Sequence, residues 1–278
     1  MSQSCYSTLA GTDLNMVLGA TSGTSGTTVY TIPRSDAKKI CIGLESYCNS
    51  VSGVAIGSHA NISKSYATGG VAIGRQSSLT GYEGCGVAIG DYAATSGGVA
   101  IGWYAQDNYG SGVAIGINAA NHSANYPSAY QNGPVSIGYA ADSEHAGVAI
   151  GAAAGCYEQA VALGAWSAAA SGSVAIGYYA RTTTGVTSNE HSIAIGSNAW
   201  AENKGIAIGY NASTSGMGER ALSIGYNAGK DAASLDYDVF IGVGNFAIRM
   251  SAFDFINTFA CMGGQSGEWS SEQGKYVF

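Results

Sequence analysis

A pattern of four residues that ends in glycine recurs through most of the chain. It consists of Val, Ile or Leu, then usually a small residue, then Ile or Leu, then Gly, and successive copies lie 12 to 22 residues apart. Repetition at a short interval is typical of solenoid folds, in which each copy forms one coil. The fourteen repeat glycines are Gly43, Gly57, Gly74, Gly90, Gly102, Gly116, Gly138, Gly151, Gly164, Gly177, Gly196, Gly209, Gly225 and Gly242.

A second small residue keeps a constant distance from the first pattern. Ala or Ser stands three residues after each of the first thirteen repeat glycines, as Ala93 follows Gly90, and only the last copy departs, with Asn245. The unit therefore reads [V/I]-A-I-G-x-x-[A/S], followed by turn residues that vary between copies. Such regularity indicates that the repeated residues have a structural role.

The unit predicts a coil of two short strands and two turns. Val87 and Ile89 are two residues apart, so they share one face of a strand, and we expect the stacked Val and Ile side chains to form the core. Gly90 is suited to a sharp turn with positive φ, and Ala93 is expected to point inward from the second strand. The sequence thus predicts an all-β parallel β-roll of about fourteen coils, and strands about 4.8 Å apart give a shaft of roughly 60 Å.

The alanines between Val and Ile are expected to form a smooth outer face. A narrow roll buries few side chains by itself, so this face is predicted to pack against copies of the same chain in an obligate oligomer. The predicted interface residues are Ala72, Ala88, Ala100, Ala114, Ala149, Ala162 and Ala175.

Residues 40–242 resemble a known repeat family. The segments "SVAIGYYARTTTG", "SIAIGSNAWAENKG" and "GIAIGYNASTSG" are similar to the head repeats of trimeric autotransporter adhesins, the YadA-type head. The resemblance implies a left-handed parallel β-roll, a homotrimer wound about one axis, and adhesion rather than catalysis. Similar repeats occur in phage fibre and attachment proteins.

The segments on either side of the repeats indicate a virion fibre rather than a bacterial surface adhesin. We find no signal peptide, no transmembrane segment and no sustained heptads, and therefore expect a virion fibre that attaches to a host, with the head of a bacterial surface adhesin or an extracellular filament as the alternative. Residues 1–39 are predicted to be a linker and a mounting or capping segment that contacts other virion proteins. Residues 243–278 are predicted to be a cap or trimerisation element, rich in aromatic residues: Phe246, Phe253, Phe255, Phe259 and Trp269.

Composition argues against several ligand classes. The net charge is −7, and the 11 Lys and Arg residues form no cluster, so nucleic acid is not an expected partner. The six Cys residues are scattered without a C-x-x-C pair, so no metal site is predicted. No helix-forming stretch follows the glycine-rich runs, which argues against a phosphate or dinucleotide site, and we predict no cofactor.

An enzyme is the third alternative and the least favoured. Hexapeptide-repeat acyltransferases also combine an aliphatic residue, Gly and a small residue, but they need consecutive hexads, which this chain lacks. Their catalytic base would have to be His59, His122, His145 or His191, all near expected turns and without an obvious carboxylate partner. The cluster "ADSEHAG" at 141–147 is the nearest approach to an acid–base group, and we interpret it as a polar turn.

Aromatic residues concentrate just after the repeat glycines and in one insertion, residues 117–134. Tyr and Trp offer large contacts with a polar group, which suits recognition of a host glycan or protein. They are equally suited to covering the next coil or the next chain. The candidate receptor contacts are Tyr92, Trp103, Tyr104, Tyr126, Tyr130, Tyr139, Trp166, Tyr178, Tyr179, Tyr210 and Tyr226.

Overall fold

The described part of the protein consists mainly of parallel β-strands and turns, contains no helix and forms a β-solenoid of about 12 turns. The computed structural model describes residues 40–50, 52–63, 69–80, 85–108, 111–122, 133–182, 191–215, 219–230 and 239–243, and the backbone alone at 15–18, 38–39, 248–250, 268–270 and 275–277.

The Val-Ala-Ile segments form one long sheet, sheet A, of 16 strands. Its neighbours are in register copy by copy, so that Val99 pairs with Val87 on one side and Val113 on the other. Its strands are β1 (Asn15–Leu18), β2 (Lys38–Ile42), β4 (Ser52–Ile56), β6 (Val71–Ile73), β8 (Val87–Ile89), β10 (Val99–Ile101), β12 (Val113–Ile115), β14 (Val135–Ile137), β16 (Val148–Ile150), β18 (Val161–Leu163), β20 (Val174–Ile176), β22 (Ile193–Ile195), β24 (Ile206–Ile208), β25 (Leu222–Ile224), β26 (Val239–Ile241) and β27 (Ile248–Met250).

The second strand of each coil joins sheet B, which has 11 strands and is also parallel. Each of these strands begins four residues after a repeat glycine. They are β3 (Tyr47–Cys48), β5 (Asn61–Ile62), β7 (Ser78–Leu79), β9 (Ala94–Thr95), β11 (Gln106–Asp107), β13 (Ala120–His122), β15 (Asp142–Glu144), β17 (Gly155–Cys156), β19 (Ala168–Ala169), β21 (Arg181–Thr182) and β23 (Trp200–Ala201).

Alanine fills the narrow interior between the two sheets. Ala100 from sheet A and Ala105 from the turn that leads to sheet B are both fully buried, and the same holds in most coils. One buried cluster joins Ala149 and Ala162 of sheet A to Cys156 and Ala169 of sheet B. The predicted inward position of Ala93 is confirmed, because this side chain is 0% exposed.

The expected orientation of the sheet A side chains is wrong. In β10 only the central Ala100 is buried, whereas Val99 and Ile101 on either side are partly exposed. The reason is the size of the coil: its narrow interior also holds the inward residue of sheet B, such as Ile62 or Asp107, and in most coils only a small side chain from sheet A fits beside it. The Val and Ile ladders therefore lie on the outer surface.

The predicted alanine interface is wrong for the same reason. Each of these side chains is 0% exposed within a single chain, so none can contact a neighbouring copy. The residues concerned are Ala72, Ala88, Ala100, Ala114, Ala149, Ala162 and Ala175.

The repeat glycines stack in a column at the turn, and the expected positive φ is confirmed. Gly90 has φ of 134° and Gly102 has φ of 136°, values that only glycine adopts readily. A Cβ atom added to Gly102 would also collide with the carbonyl oxygen of Gly116 in the next coil. The column needs glycine for both conformation and space.

We expect Gly102→Ala to lower the free energy of unfolding by about 3 kcal/mol or more, because the strained φ and the backbone collision add. Gly155→Ala is the matched control, since a Cβ there meets nothing within 4 Å and no positive φ is required. Its effect should stay within about 0.5 kcal/mol. Urea denaturation of both variants compares them, and equal losses would contradict this account of the glycine column.

A ladder of variable residues runs along the inner face of sheet B, five residues after the repeat glycine of each coil that contributes a strand to this sheet. It is apolar at its start, where Ile62 and Leu79 lie, and polar at its middle. The buried Asp107 carboxylate accepts hydrogen bonds from the Thr95 hydroxyl (3.0 Å), the Gly98 N–H (3.1 Å) and the Asn121 amide (3.2 Å). The sequence pattern did not predict this polar core.

The two ends of the solenoid differ. At the start, β1 adds a parallel strand to β2, and at the other end β27 pairs antiparallel with β26. Strands β28 (Glu268–Ser270) and β29 (Lys275–Val277) form a separate antiparallel pair. The rest of the predicted segments 1–39 and 243–278, including the aromatic side chains of the latter, lies outside the described residues. Within the described chain, no helix is long and apolar enough to cross a membrane.

Candidate binding surface

Two residues follow each repeat glycine at the turn between sheet A and sheet B, and their side chains line one edge of the solenoid. The second of them adopts a left-handed conformation, with φ of 58° for Tyr92, 55° for Tyr104, 60° for Trp166 and 58° for Tyr179. Asn, which tolerates this conformation better than aromatic residues do, occupies the same position at Asn118, Asn198, Asn211 and Asn227. Aromatic residues in this position are therefore not explained by backbone preference.

One group of aromatic side chains, cluster I, lies around Tyr92. The Tyr92 and Tyr104 rings stack with centroids 4.6 Å apart, and Trp103 packs edge-on against Tyr104 at 4.9 Å. The Arg75 guanidinium lies over the Tyr92 ring at 5.1 Å and pairs with the Asp91 carboxylate at 3.1 Å. The positive charge of cluster I is therefore neutralised within the chain.

A second group, cluster II, comprises Trp166, Tyr178, Tyr179, Arg181 and Trp200. The Arg181 guanidinium carbon lies 4.8 Å from the Tyr179 ring centroid and 4.9 Å from that of Trp200. Trp166 stacks on Tyr179 at 6.4 Å, and Tyr178 tilts against Tyr179 at 5.7 Å. These aromatic side chains are 36% to 57% exposed. Together they form a continuous row of rings around one cation.

Sequence reasoning missed Arg181 and Trp200. They stand four residues after their repeat glycines, on the outer face of sheet B, where they are register partners in β21 and β23. The fourth residue after a repeat glycine could have been singled out from the sequence, because its spacing from the glycine is constant. Its role becomes clear only once the structure shows that this position faces outward and that Arg181 lies beside Tyr179.

The remaining aromatic candidates lie either on the same edge of the solenoid or in the insertion at residues 117–134. Tyr210 and Tyr226 stack across two coils at 5.1 Å, and Tyr139 is 60% exposed. These stacks show that the aromatic residues do cover neighbouring coils while keeping much of their surface exposed. Tyr126 and Tyr130 lie outside the described residues.

The outer face of sheet A is a second candidate surface, and we name it the aliphatic face. From Val54 to Ile224, two aliphatic side chains per strand point outward and remain partly exposed. Strand spacing and residue rise give a strip about 55 Å long and about 10 Å wide. A continuous apolar strip on the order of 500 Å² is comparable with the largest patches on soluble monomers, which are often functional.

Two histidines have carboxylate partners in the adjacent coil, contrary to expectation. His59 Nε2 lies 2.9 Å from Glu45 Oε2, and His122 Nδ1 lies 2.7 Å from Asp142 Oδ1. Both pairs are about half-exposed, and pairs of this kind contribute little to stability. Among the described residues, no group of three His, Cys, Asp or Glu side chains has the arrangement of a metal site.

Among the described residues, Glu144 and Cys156 have side chains with a shifted pKa. Burial, and then the neighbouring Asp142 carboxylate, raise the pKa of Glu144 above its ordinary value. Burial raises the pKa of the Cys156 thiol to about 12. A thiol that stays protonated at neutral pH is a poor nucleophile, so Cys156 is a packing residue of the sheet B interior.

Neither protein-family models, nor curated proteins, nor solved structures give a significant match to this chain.

Proposed function

We propose that this protein is a non-enzymatic attachment fibre, a left-handed β-roll that assembles as a homotrimer and is mounted on a virion. The observation that carries the proposal is the aliphatic face, which runs along the solenoid and has no covering element among the described residues. Soluble proteins rarely leave so long an apolar strip exposed to water.

The aliphatic face suits packing against copies of the same chain. Each coil presents a similar pair of aliphatic side chains at the same spacing, so symmetry-related copies meet with matching surfaces along the shaft. Burying apolar surface releases about 25 cal/mol per Å², so about 500 Å² on each chain contributes on the order of 12 kcal/mol before the cost of association is subtracted. The number of three chains comes from the resemblance of the repeats to trimeric adhesin heads.

Attachment to a host surface is supported by the aromatic edge. A rigid shaft displays Trp103, Tyr139, Trp166 and Tyr178 along one edge, each 49% to 60% exposed. Exposed aromatic side chains on a rigid scaffold are common anchors for glycans and proteins. The head of a bacterial surface adhesin is the second candidate, because the same shaft and the same edge support it equally.

Light scattering combined with negative-stain electron microscopy tests the assembly. We expect particles of three times the chain mass of 28.0 kDa and a rod of uniform width. Immunogold labelling of purified virions, compared with labelling of bacterial cells, then separates the two candidates. A monodisperse monomer that leaves the aliphatic face in water would refute the proposal.

A further inference from the structure

We propose that cluster II is a binding site for an acidic saccharide, with the Arg181 guanidinium pairing with the sugar carboxylate and the exposed rings stacking on the sugar ring. The inference rests on the proposed attachment function and specifies the ligand class of its aromatic edge.

The first step concerns the charge of Arg181. Within the part of the chain that the structure describes, Arg181 packs against aromatic rings and has no carboxylate partner. Cluster I provides the contrast, because its Arg75 has the same packing against a tyrosine but is neutralised by Asp91. An arginine packed against two aromatic rings without a counter-ion is available for an external anion.

The second step concerns geometry. Tyr179 and Trp200 lie against the guanidinium of Arg181 at nearly equal distances, 4.8 and 4.9 Å. Contacts with rings engage none of the guanidinium N–H donors in a carboxylate pair, so those donors remain for a ligand. A carboxylate matches that edge, since it accepts two parallel hydrogen bonds from a guanidinium.

The third step concerns the rest of the ligand. Trp166 and Tyr178 are 57% and 55% exposed and extend the row of rings beyond Tyr179 along the shaft. The apolar face of a sugar ring packs well on such a surface, whose rings lose little freedom on binding. A saccharide longer than one sugar has room to contact both the rings and Arg181.

The fourth step concerns access in the assembly. Arg181 and Trp200 lie on the outer face of sheet B, and the alanine-filled interior separates them from the aliphatic face of sheet A. A homotrimer that buries the aliphatic face therefore leaves cluster II on the opposite side, open to solvent.

Isothermal titration calorimetry of the full chain tests the site with two matched pairs of probes. These are 3′-sialyllactose against lactose, and trigalacturonate against its methyl ester, so that each pair differs in carboxylate charge. We expect saturable binding of at least one acidic probe, at least roughly 10-fold weaker binding of its uncharged counterpart, and weaker binding at high salt.

The variants locate the site. Arg181→Gln should weaken binding of the acidic probe roughly 10-fold or more, as expected for loss of a charge-assisted pair, whereas Arg75→Gln in cluster I should bind like the parent protein. Trp166→Ala should also weaken binding. Thermal melting of each variant verifies that it is folded.

Absence of saturable binding with both acidic probes would overturn the proposal, as would equal binding by Arg181→Gln or by the neutral probes. Light scattering on the same samples separates the two claims. A trimer that binds neither acidic probe refutes the saccharide site alone, and a monomer that binds in an Arg181-dependent way supports the site and refutes the trimer.

Discussion

Replacing Ile101 by Glu is expected to convert the proposed trimer into folded monomers. Ile101 lies in the middle of the aliphatic face and points away from the roll interior, so the isolated chain tolerates a charge there. In the assembly the substitution places three carboxylates in an apolar interface, each at a cost of several kcal/mol. Light scattering should show a loss of two thirds of the mass, with an unchanged circular dichroism spectrum.

Two substitutions in the same coil serve as controls. Gln106→Glu introduces the same charge on the outer face of sheet B and should leave the trimer intact. Ala100→Glu places the charge at a fully buried position next to Ile101 and should unfold the coil rather than release a folded monomer. A stable trimer of Ile101→Glu, or a folded monomer of Ala100→Glu, would contradict the orientation of sheet A.

Replacing Asp107 by Ala should be the second most disruptive change, with a loss of about 3 to 5 kcal/mol in the free energy of unfolding. The carboxylate is 1% exposed and accepts hydrogen bonds from Thr95, Gly98 and Asn121. Its removal leaves these donors buried without their acceptor, and each such group costs roughly 1 to 3 kcal/mol. Urea unfolding measures the loss.

Gln106→Ala is the control for Asp107→Ala. The Gln106 side chain points outward, so its removal should lower the free energy of unfolding by less than about 0.5 kcal/mol. Because a solenoid is held together by nearest-neighbour contacts, hydrogen exchange should quicken first in the coils on either side of Asp107→Ala. A loss below about 1 kcal/mol would show that the polar part of the interior ladder is dispensable.

The spacing of the repeat was sufficient to predict the strands and one turn. Strand β8 at Val87–Ile89, the positive φ of Gly90 and the inward Ala93 all lie where the pattern predicts them. Each depends on local chemistry: period-two alternation places side chains on a strand, and only glycine adopts the turn conformation without strain.

The functional surfaces were less predictable, because the variable positions carry no repeat signal. Asp107 and Arg181 follow their repeat glycines by five and four residues, so one is buried and the other faces solvent. That one-residue difference separates a core residue from a candidate ligand contact. Neither role can be recognised until the second strand has been placed.

The sequence by itself determined the all-β class, the parallel stacking of its copies and the position of the glycine turn, because these follow from local periodicity. The tertiary structure alone decided which face of sheet A is inside. Alternation places Val and Ile on one face and Ala on the other, but it does not say which face is enclosed. The narrow interior decides that: the inward residue of sheet B already fills much of it, so in most coils only a small side chain from sheet A fits beside it. The aliphatic ladders therefore lie on the outer surface and not in the expected core.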